Sequence, residues 1–153
     1  MNDIAALRAA VSAELLQAGR QWRRTAERAL QQLDISEACA APLIWTGRLG
    51  GGVRQVTLAH HVGIEGPSLV RLLDQLAAAG LIERRDDPTD RRAKTVWLTP
   101  SGALLASRIE DVLVETRARV LAHISAEDLS AALRVLRTFN DEAGPSATQE
   151  ETP

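Results

Sequence analysis

The stretch from Thr57 to Gly102, TLAHHVGIEGPSLVRLLDQLAAAGLIERRDDPTDRRAKTVWLTPSG, changes its hydrophobic period at Gly80, and that change restricts what the chain can fold into. Before Gly80, Leu69, Leu72, Leu73 and Leu76 recur at the three-and-four spacing of one buried helical face. Pro67 suits a first helical position and Gly80 a left-handed stop, which predicts a helix from Pro67 to Ala79. Upstream, Thr57 is expected to cap a short helix that runs to Val62, turns Leu58, Ala59 and Val62 inward and ends at Gly63. After Gly80 the pattern alternates. Leu81 and Ile82 begin one strand, Thr95 to Leu98 return with Val96 and Leu98 on one side, and Pro88 interrupts the chain between them. Helix, turn, helix and hairpin in this order are the outline of a winged helix-turn-helix.

The outward residues of that outline point to duplex DNA. Ser68, Arg71 and Gln75 share a stripe of the second helix, and all three side chains can hydrogen-bond to base edges or phosphates. The hairpin tip carries Arg84, Arg85, Arg91, Arg92 and Lys94 within eleven residues, enough to reach a phosphate backbone or a narrow minor groove. Ordinary readings exist for each piece. A Leu-rich helix with a polar face is also what any surface helix looks like, and a mixed-charge loop is usually solvated. Asp86, Asp87 and Asp90 partly offset the cations, and Asp90 is equally suited to pairing with Arg91 or Arg92 to stiffen the tip. The order of the pieces favours DNA, because separate accidents would not assemble in that sequence.

Helices flank this core. From Asp3 to Leu33, Ile4, Leu7, Val11, Leu15, Ala18, Trp22, Ala26, Ala29 and Leu33 repeat at three or four without a proline, predicting one long helix. Such a helix cannot bury its stripe on one small domain, so part of it should pack on another helix or another chain. Ser36 is placed as the cap of a second helix from about Glu37 to Leu49 with Leu43, Ile44, Trp45 and Leu49 as its large apolar residues. Pro42 leaves two options: the helix starts near Ala41 or kinks there. Gly50 to Gly52 read as a flexible connector, and Val53 to Val56 as a short strand beside the wing. Thr99 and Pro100 open a helix to about Ile124, and Ser125 with Asp128 makes a capping-box-like start for a last helix carrying Leu129, Leu133, Leu136 and Phe139. The tail from Gly144 to Pro153 is expected to be disordered.

The fold class is therefore mainly α (α+β). Residues 36–102 form a winged helix-turn-helix, and 1–35 with 103–143 form a helical dimerisation region. Amphipathic helices at both ends of so small a domain imply a homodimer about a two-fold axis.

Composition sets the outer limits. With 153 residues and 45% hydrophobic content, the chain suffices for one domain with a modest core. No apolar run approaches the roughly 20 residues of a membrane span, and the start lacks the pattern of a secretory signal. A single cysteine excludes an intramolecular disulfide, and a cytoplasmic protein is the simplest expectation. Eighteen basic against 20 acidic residues give a formal charge of −2, unlike the usual basic nucleic-acid module. Distribution offsets this. Acids gather at Asp141, Glu142, Glu150 and Glu151, while cations gather at the wing, and Lys94 is the one lysine in the sequence.

GIEGPSLVRLLDQLAAAGLIERRDDPTDRRAKTVWLTPSG closely resembles the winged-helix core of the MarR family of bacterial transcription regulators, and looks most like the SlyA branch. DRRAK at Asp90 to Lys94 and LTPSG at Leu98 to Gly102 are its most specific parts. The resemblance implies that the helix from Pro67 to Ala79 enters the major groove with Ser68 and Arg71. It implies that Arg92 reaches the minor groove while Asp90 helps hold the wing. Arg91 and Lys94 are weaker phosphate-contact candidates. It further implies a triangular dimer whose first and last helices interlock, with recognition helices about one DNA turn, roughly 34 Å, apart on a pseudo-palindrome.

Relatives of this kind often respond to small aromatic acids or phenolic compounds bound where the dimer helices meet the winged domain. Arg20, Trp22 and Trp45 are the candidates here, a guanidinium for a carboxylate and indoles for a ring. Arg20 matches a ligand-contacting arginine of SlyA-like relatives. The competing reading makes both tryptophans core residues and Arg20 a dimer ion pair.

The expected activity is that of a homodimeric transcriptional regulator, a repressor of a nearby operon relieved by such a ligand, with no cofactor. One alternative is a winged helix that binds only protein, since fold does not fix function. Another is a redox sensor built on Cys39, although the family's peroxide sensors use tyrosine hydroxyls and this chain has no tyrosine. Cys39 in its Ala-rich stretch reads better as an inert buried thiol. His60 and His61 are adjacent on a helix and point about 100° apart, so no metal is expected. No phosphate-binding glycine loop or nucleophile set is recognisable, and an enzyme is not expected.

Overall fold

The computed structural model describes residues 3–142 and contains, among them, six α-helices and a three-stranded antiparallel sheet. The fold is mainly α, as the sequence implied, and the tail expected to be disordered lies outside the described residues. The chain divides into two compact units, Met1–Thr116 and Arg117–Pro153.

In the first unit, α1 spans Ile4–Leu30 and continues as a 3₁₀ turn, Gln31–Leu33. Asp3 caps it by accepting the Ala5 N–H at 2.9 Å. Its buried residues are Ala26 and Leu30 alone, while Ile4, Leu7, Val11 and Leu16 are 59, 46, 42 and 66% exposed. Of the apolar stripe, Ile4, Leu7, Val11 and Ala18 are thus exposed among the described residues, while Leu15, Trp22, Ala26, Ala29 and Leu33 are partly or fully covered.

Helix α2 spans Glu37–Arg48, with Ser36 accepting the Cys39 N–H at 3.2 Å as its cap. It starts where Ser36 dictates and runs through Pro42, so the later start near Ala41 is not what occurs. Pro42 is buried and has no N–H to donate, while its carbonyl accepts the Thr46 hydroxyl at 2.8 Å. The short strand β1, Val53–Arg54, then leads directly into α3, Gln55–Val62. Arg54, not the expected Thr57, occupies the cap position, because β1 delivers the chain into the helix three residues earlier. Gly63 ends α3 at φ 76° as foreseen.

The glycine connector is not a loose tether. Gly50, Gly51 and Gly52 adopt φ of 85, 78 and 62°, and the last two lie against Trp97, whose ring would come within 3.1 and 2.7 Å of an added Cβ.

Helix α4 spans Gly66–Ala78 and buries Leu69, Leu73 and Leu76; Leu72 is half-buried at the edge of that face. Gly80 at φ 73° closes it, with Leu81 N–H donating to the Leu76 carbonyl at 3.0 Å. Strands β2, Ile82–Asp86, and β3, Lys94–Leu98, form the wing in antiparallel register from Ile82↔Leu98 to Asp86↔Lys94. β1 joins the other side of β3 through Val53↔Val96 and Arg54↔Thr95, in the first half of the stretch expected as a strand, while Gln55 and Val56 belong to α3 instead. Leu43, Leu58, Leu69, Leu73, Val96 and Ile109 are fully buried and tie α2, α3, α4, β3 and the helix after the wing into one core.

Helix α5 spans Pro100–Val120, ending four residues before the expected Ile124. In the second unit, α6 spans Ala126–Glu142. Its start is the capping box expected from Ser125 and Asp128: the Ser125 hydroxyl donates to the Asp128 carboxylate at 2.7 Å and accepts its N–H at 3.0 Å. No residue of α6 is buried, and Leu133, Val135, Leu136 and Phe139 are 50, 44, 40 and 42% exposed. No helix among the described residues is long and apolar enough to cross a membrane.

Candidate nucleic-acid interface

The helix period sorts the α4 side chains before any contact is considered. With the leucines committed to the core, Ser68, Arg71 and Gln75 fall on the exposed face, as the sequence required. Ser68 and Arg71 are fully at the surface near the helix start. Gln75 behaves differently, because its amide oxygen accepts the Cys39 thiol at 3.4 Å across to α2. It lines a cavity of about 300 Å³ with Ile35, Ser36, Cys39, Leu81 and Leu105. Cys39 is half-buried there, rather than fully sealed as an inert core thiol would be.

The wing sorts its five cations in the same way. Arg84 pairs with Asp74 of α4 at 2.5 Å, and Arg85 with Glu83 at 2.9 Å while its guanidinium lies 4.8 Å from the Trp97 ring centre. Lys94 pairs with Asp86. Arg91 and Arg92 remain exposed and without an ion pair among the described residues. The fixed carboxylates thus hold the cations nearest the strands, and the two arginines at the tip are left to meet an outside anion. Exposed pairs of this kind contribute little stability, so Lys94 is a weaker candidate for geometric rather than energetic reasons.

The tip itself is built on Asp87, which the sequence reading passed over. Its Oδ1 accepts the Thr89 hydroxyl at 2.7 Å, the Thr89 N–H at 2.8 Å and the Asp90 N–H at 3.2 Å. Its Oδ2 accepts Arg54 Nε–H at 2.8 Å, and Arg54 Nη2 donates to Thr89 Oγ1 at 3.1 Å. The Thr89 hydroxyl, then the Arg54 guanidinium, then the Thr89 amide hold the Asp87 carboxyl well below the usual carboxylate range. Arg54 is correspondingly raised, chiefly by its hydrogen bond to Asp87. Asp90 accepts the Arg92 N–H at 2.9 Å through its carboxylate and the Ala93 N–H at 3.0 Å through its carbonyl. Its hold on the wing is therefore through backbone amides. Asp-x-Thr ahead of the basic run was a local signal for the Asp87 turn; Arg54, 33 positions away, had none.

The three effector candidates sit in different local settings. Arg20 is exposed on α1, and Trp22 two positions on, about 200° around the helix, packs half-buried against the core. Trp45 lies 4.8 Å from the His61 ring and 5.1 Å from the Arg48 guanidinium, which is itself bound to Glu110 at 2.6 and 3.0 Å. His60 and His61 meet edge to face, and no group of three or more metal-ligating side chains occurs among the described residues.

Comparison with known proteins agrees with this geometry. A protein-family model described as the MarR family matches residues 33–93, from the turn after α1 into the wing tip. The crystal structure of the transcriptional regulator PA3341 is 34% identical, with 87% of this chain and 97% of that chain covered at a TM-score of 0.80. The S. aureus MepR–DNA complex is 23% identical, covers 87% and 97%, and has a TM-score of 0.75. A mutant MarR from E. coli complexed with operator DNA is 20% identical, covers 90% and 99%, and has a TM-score of 0.76. At those identities the last two speak to the fold. Winged helix, wing chemistry, family match and near-full-length similarity to a transcriptional regulator converge on one conclusion: the chain belongs to the MarR family of transcriptional regulators.

Proposed function

We propose that the chain is a homodimeric, sequence-specific DNA-binding regulator of the SlyA-like branch, acting in the cytoplasm as a repressor of a nearby operon. The observation that carries the DNA-binding part is the sorting of charge described above: Ser68 and Arg71 exposed on α4, with Arg91 and Arg92 at the wing tip outside any ion pair among the described residues. The two relatives solved with DNA support the same use of the fold. In this reading Ser68, Arg71 and Gln75 face the major groove, Arg92 enters the minor groove, and Arg91 and Lys94 approach phosphates.

The dimer rests on uncovered apolar surface. Ile4, Leu7, Val11 and Leu16 on α1 and Leu133, Leu136 and Phe139 on α6 are each at least two-fifths exposed, more than scattered surface residues would explain. Residues 1–35 and 103–143 then supply the dimerisation region, and 36–102 the DNA-binding domain. Relief by a small aromatic or phenolic ligand follows from the family reading; Arg20, Trp22 and Trp45 are its candidates and would act by changing the spacing of the two recognition helices. No catalytic role or cofactor enters this account. A hydroxyl-radical footprint on the region upstream of the protein's own coding sequence tests it. Two protected segments about one helical turn apart, roughly 34 Å, are expected, and uniform cleavage would overturn the reading.

A further inference from the structure

Arg54 sits where it should not help a helix. The cap position of α3 ordinarily holds Ser, Thr, Asp or Asn, and Arg54 makes no side-chain cap bond there. Its backbone is fixed on both sides, by pairing with Thr95 of β3 and by entry into α3. From that anchor its guanidinium spans two acceptors of the wing tip, Asp87 at 2.8 Å and Thr89 at 3.1 Å. Asp87 in turn receives the Asp90 N–H, and Asp90 receives the Arg92 N–H. An unbroken chain of hydrogen bonds thus leads from the first helix of the helix-turn-helix to the backbone of Arg92.

We propose that Arg54 is a positioning residue for DNA binding, holding the wing tip so that Arg91 and Arg92 meet the duplex at a set distance from α4. The role rests on the DNA-binding reading above. Half of the Arg54 side chain is exposed, at 49% against 8% for Asp87, so the pair contributes geometry more than stability. A lysine could keep the charge but not the two-point span, which needs the guanidinium fork. Arg54 acts through the tip and not by touching the duplex itself.

The test uses the full chain and a duplex from upstream of its own coding sequence. Arg54→Ala should leave the thermal midpoint within about 2 °C of wild type, yet weaken duplex binding about tenfold. Arg54→Lys should lose most of the same affinity. In a background carrying both Arg91→Ala and Arg92→Ala, Arg54→Ala should add less than about a twofold loss, because it acts through the two arginines already removed. A full additional loss there would mean that Arg54 contacts DNA directly, and wild-type affinity in Arg54→Ala or Arg54→Lys would equally overturn the proposal. Hydrogen exchange of the Thr89 and Asp90 amides without DNA reads the brace apart from duplex binding. Faster exchange in Arg54→Ala is expected, and unchanged exchange would remove the brace whatever the duplex does. If the wild type binds no duplex, the DNA-binding reading fails, while the exchange result still judges the brace.

Discussion

A Cβ on Gly102 would lie 1.9 Å from the carbonyl oxygen of Leu81, so the first turn of α5 crosses the exit of α4 at a distance that only glycine permits. The same carbonyl accepts the Thr99 N–H at 3.1 Å. The Thr99 hydroxyl donates to the Gly80 carbonyl at 2.6 Å and accepts the Gly102 N–H at 3.0 Å. LTPSG is thus a seat that fixes α5 against the exit of α4. Gly102→Ala should cost at least about 3 kcal/mol, the upper end for overpacking against an unyielding backbone. Exposed Ser101→Ala should stay within about 0.5 kcal/mol. Urea unfolding at one fixed protein concentration measures both.

The glycine triplet allows a comparison within one loop. An alanine at Gly50 (φ 85°) would meet nothing within 4 Å, whereas at Gly52 (φ 62°) it would lie 2.7 and 3.0 Å from the Trp97 ring. Gly50→Ala should therefore cost only the left-handed backbone penalty, about 1–2 kcal/mol. Gly52→Ala should cost that plus a further 1–3 kcal/mol, roughly, for displacing a stiff indole. Equal effects in chemical denaturation would contradict the role given to Trp97.

Arg71 and Arg92 should fail in different ways. Arg71→Ala should reduce discrimination between specific and random duplex by about 1–3 kcal/mol. Arg92→Ala should weaken binding to both and flatten the salt dependence by up to about one unit of slope if it neutralises one phosphate. Lys94→Ala, already paired with Asp86, should change the slope less. Salt titrations of the three variants decide between these outcomes.

Asp87 sets a pH signature. Its folded carboxyl titrates well below its unfolded value of about 4, because the Thr89 hydroxyl and Arg54 favour the anion. A lowered carboxylate contributes stability that is present above the unfolded value and is lost as pH falls through the folded one. The stability difference between wild type and Asp87→Asn should therefore be flat from about pH 8 to 5 and shrink only below about pH 4. A difference that grows on acidification would reverse the assignment.

Much of the fold was legible because the signals were local. Leu69, Leu73 and Leu76 share a helical face at fixed spacing, Gly63 and Gly80 stop helices through φ values that other residues resist, and Ser125 with Asp128 caps α6 within one turn. Thr57 looked like a cap from its side chain alone, but β1–β3 pairs 41 and 43 residues apart in sequence start α3 earlier, with Arg54 as its cap. Separation in sequence, here 33 positions, likewise hid the brace from Arg54 to Asp87. Gln75 carried the right chemistry for a base contact, and only tertiary packing brings Cys39 within reach of its amide oxygen. Glycines at 50–52 read as slack, yet Trp97 takes the space where side chains at 51 and 52 would be.

The most direct test is a fluorescence-anisotropy titration of the full chain, refolded to strip any bound small molecule, against its own upstream duplex and a shuffled control at two salt concentrations. Tight, sequence-selective binding that weakens steeply with salt is the expected result. Binding to neither duplex at either salt would contradict the account and leave the winged helix as a surface for another protein.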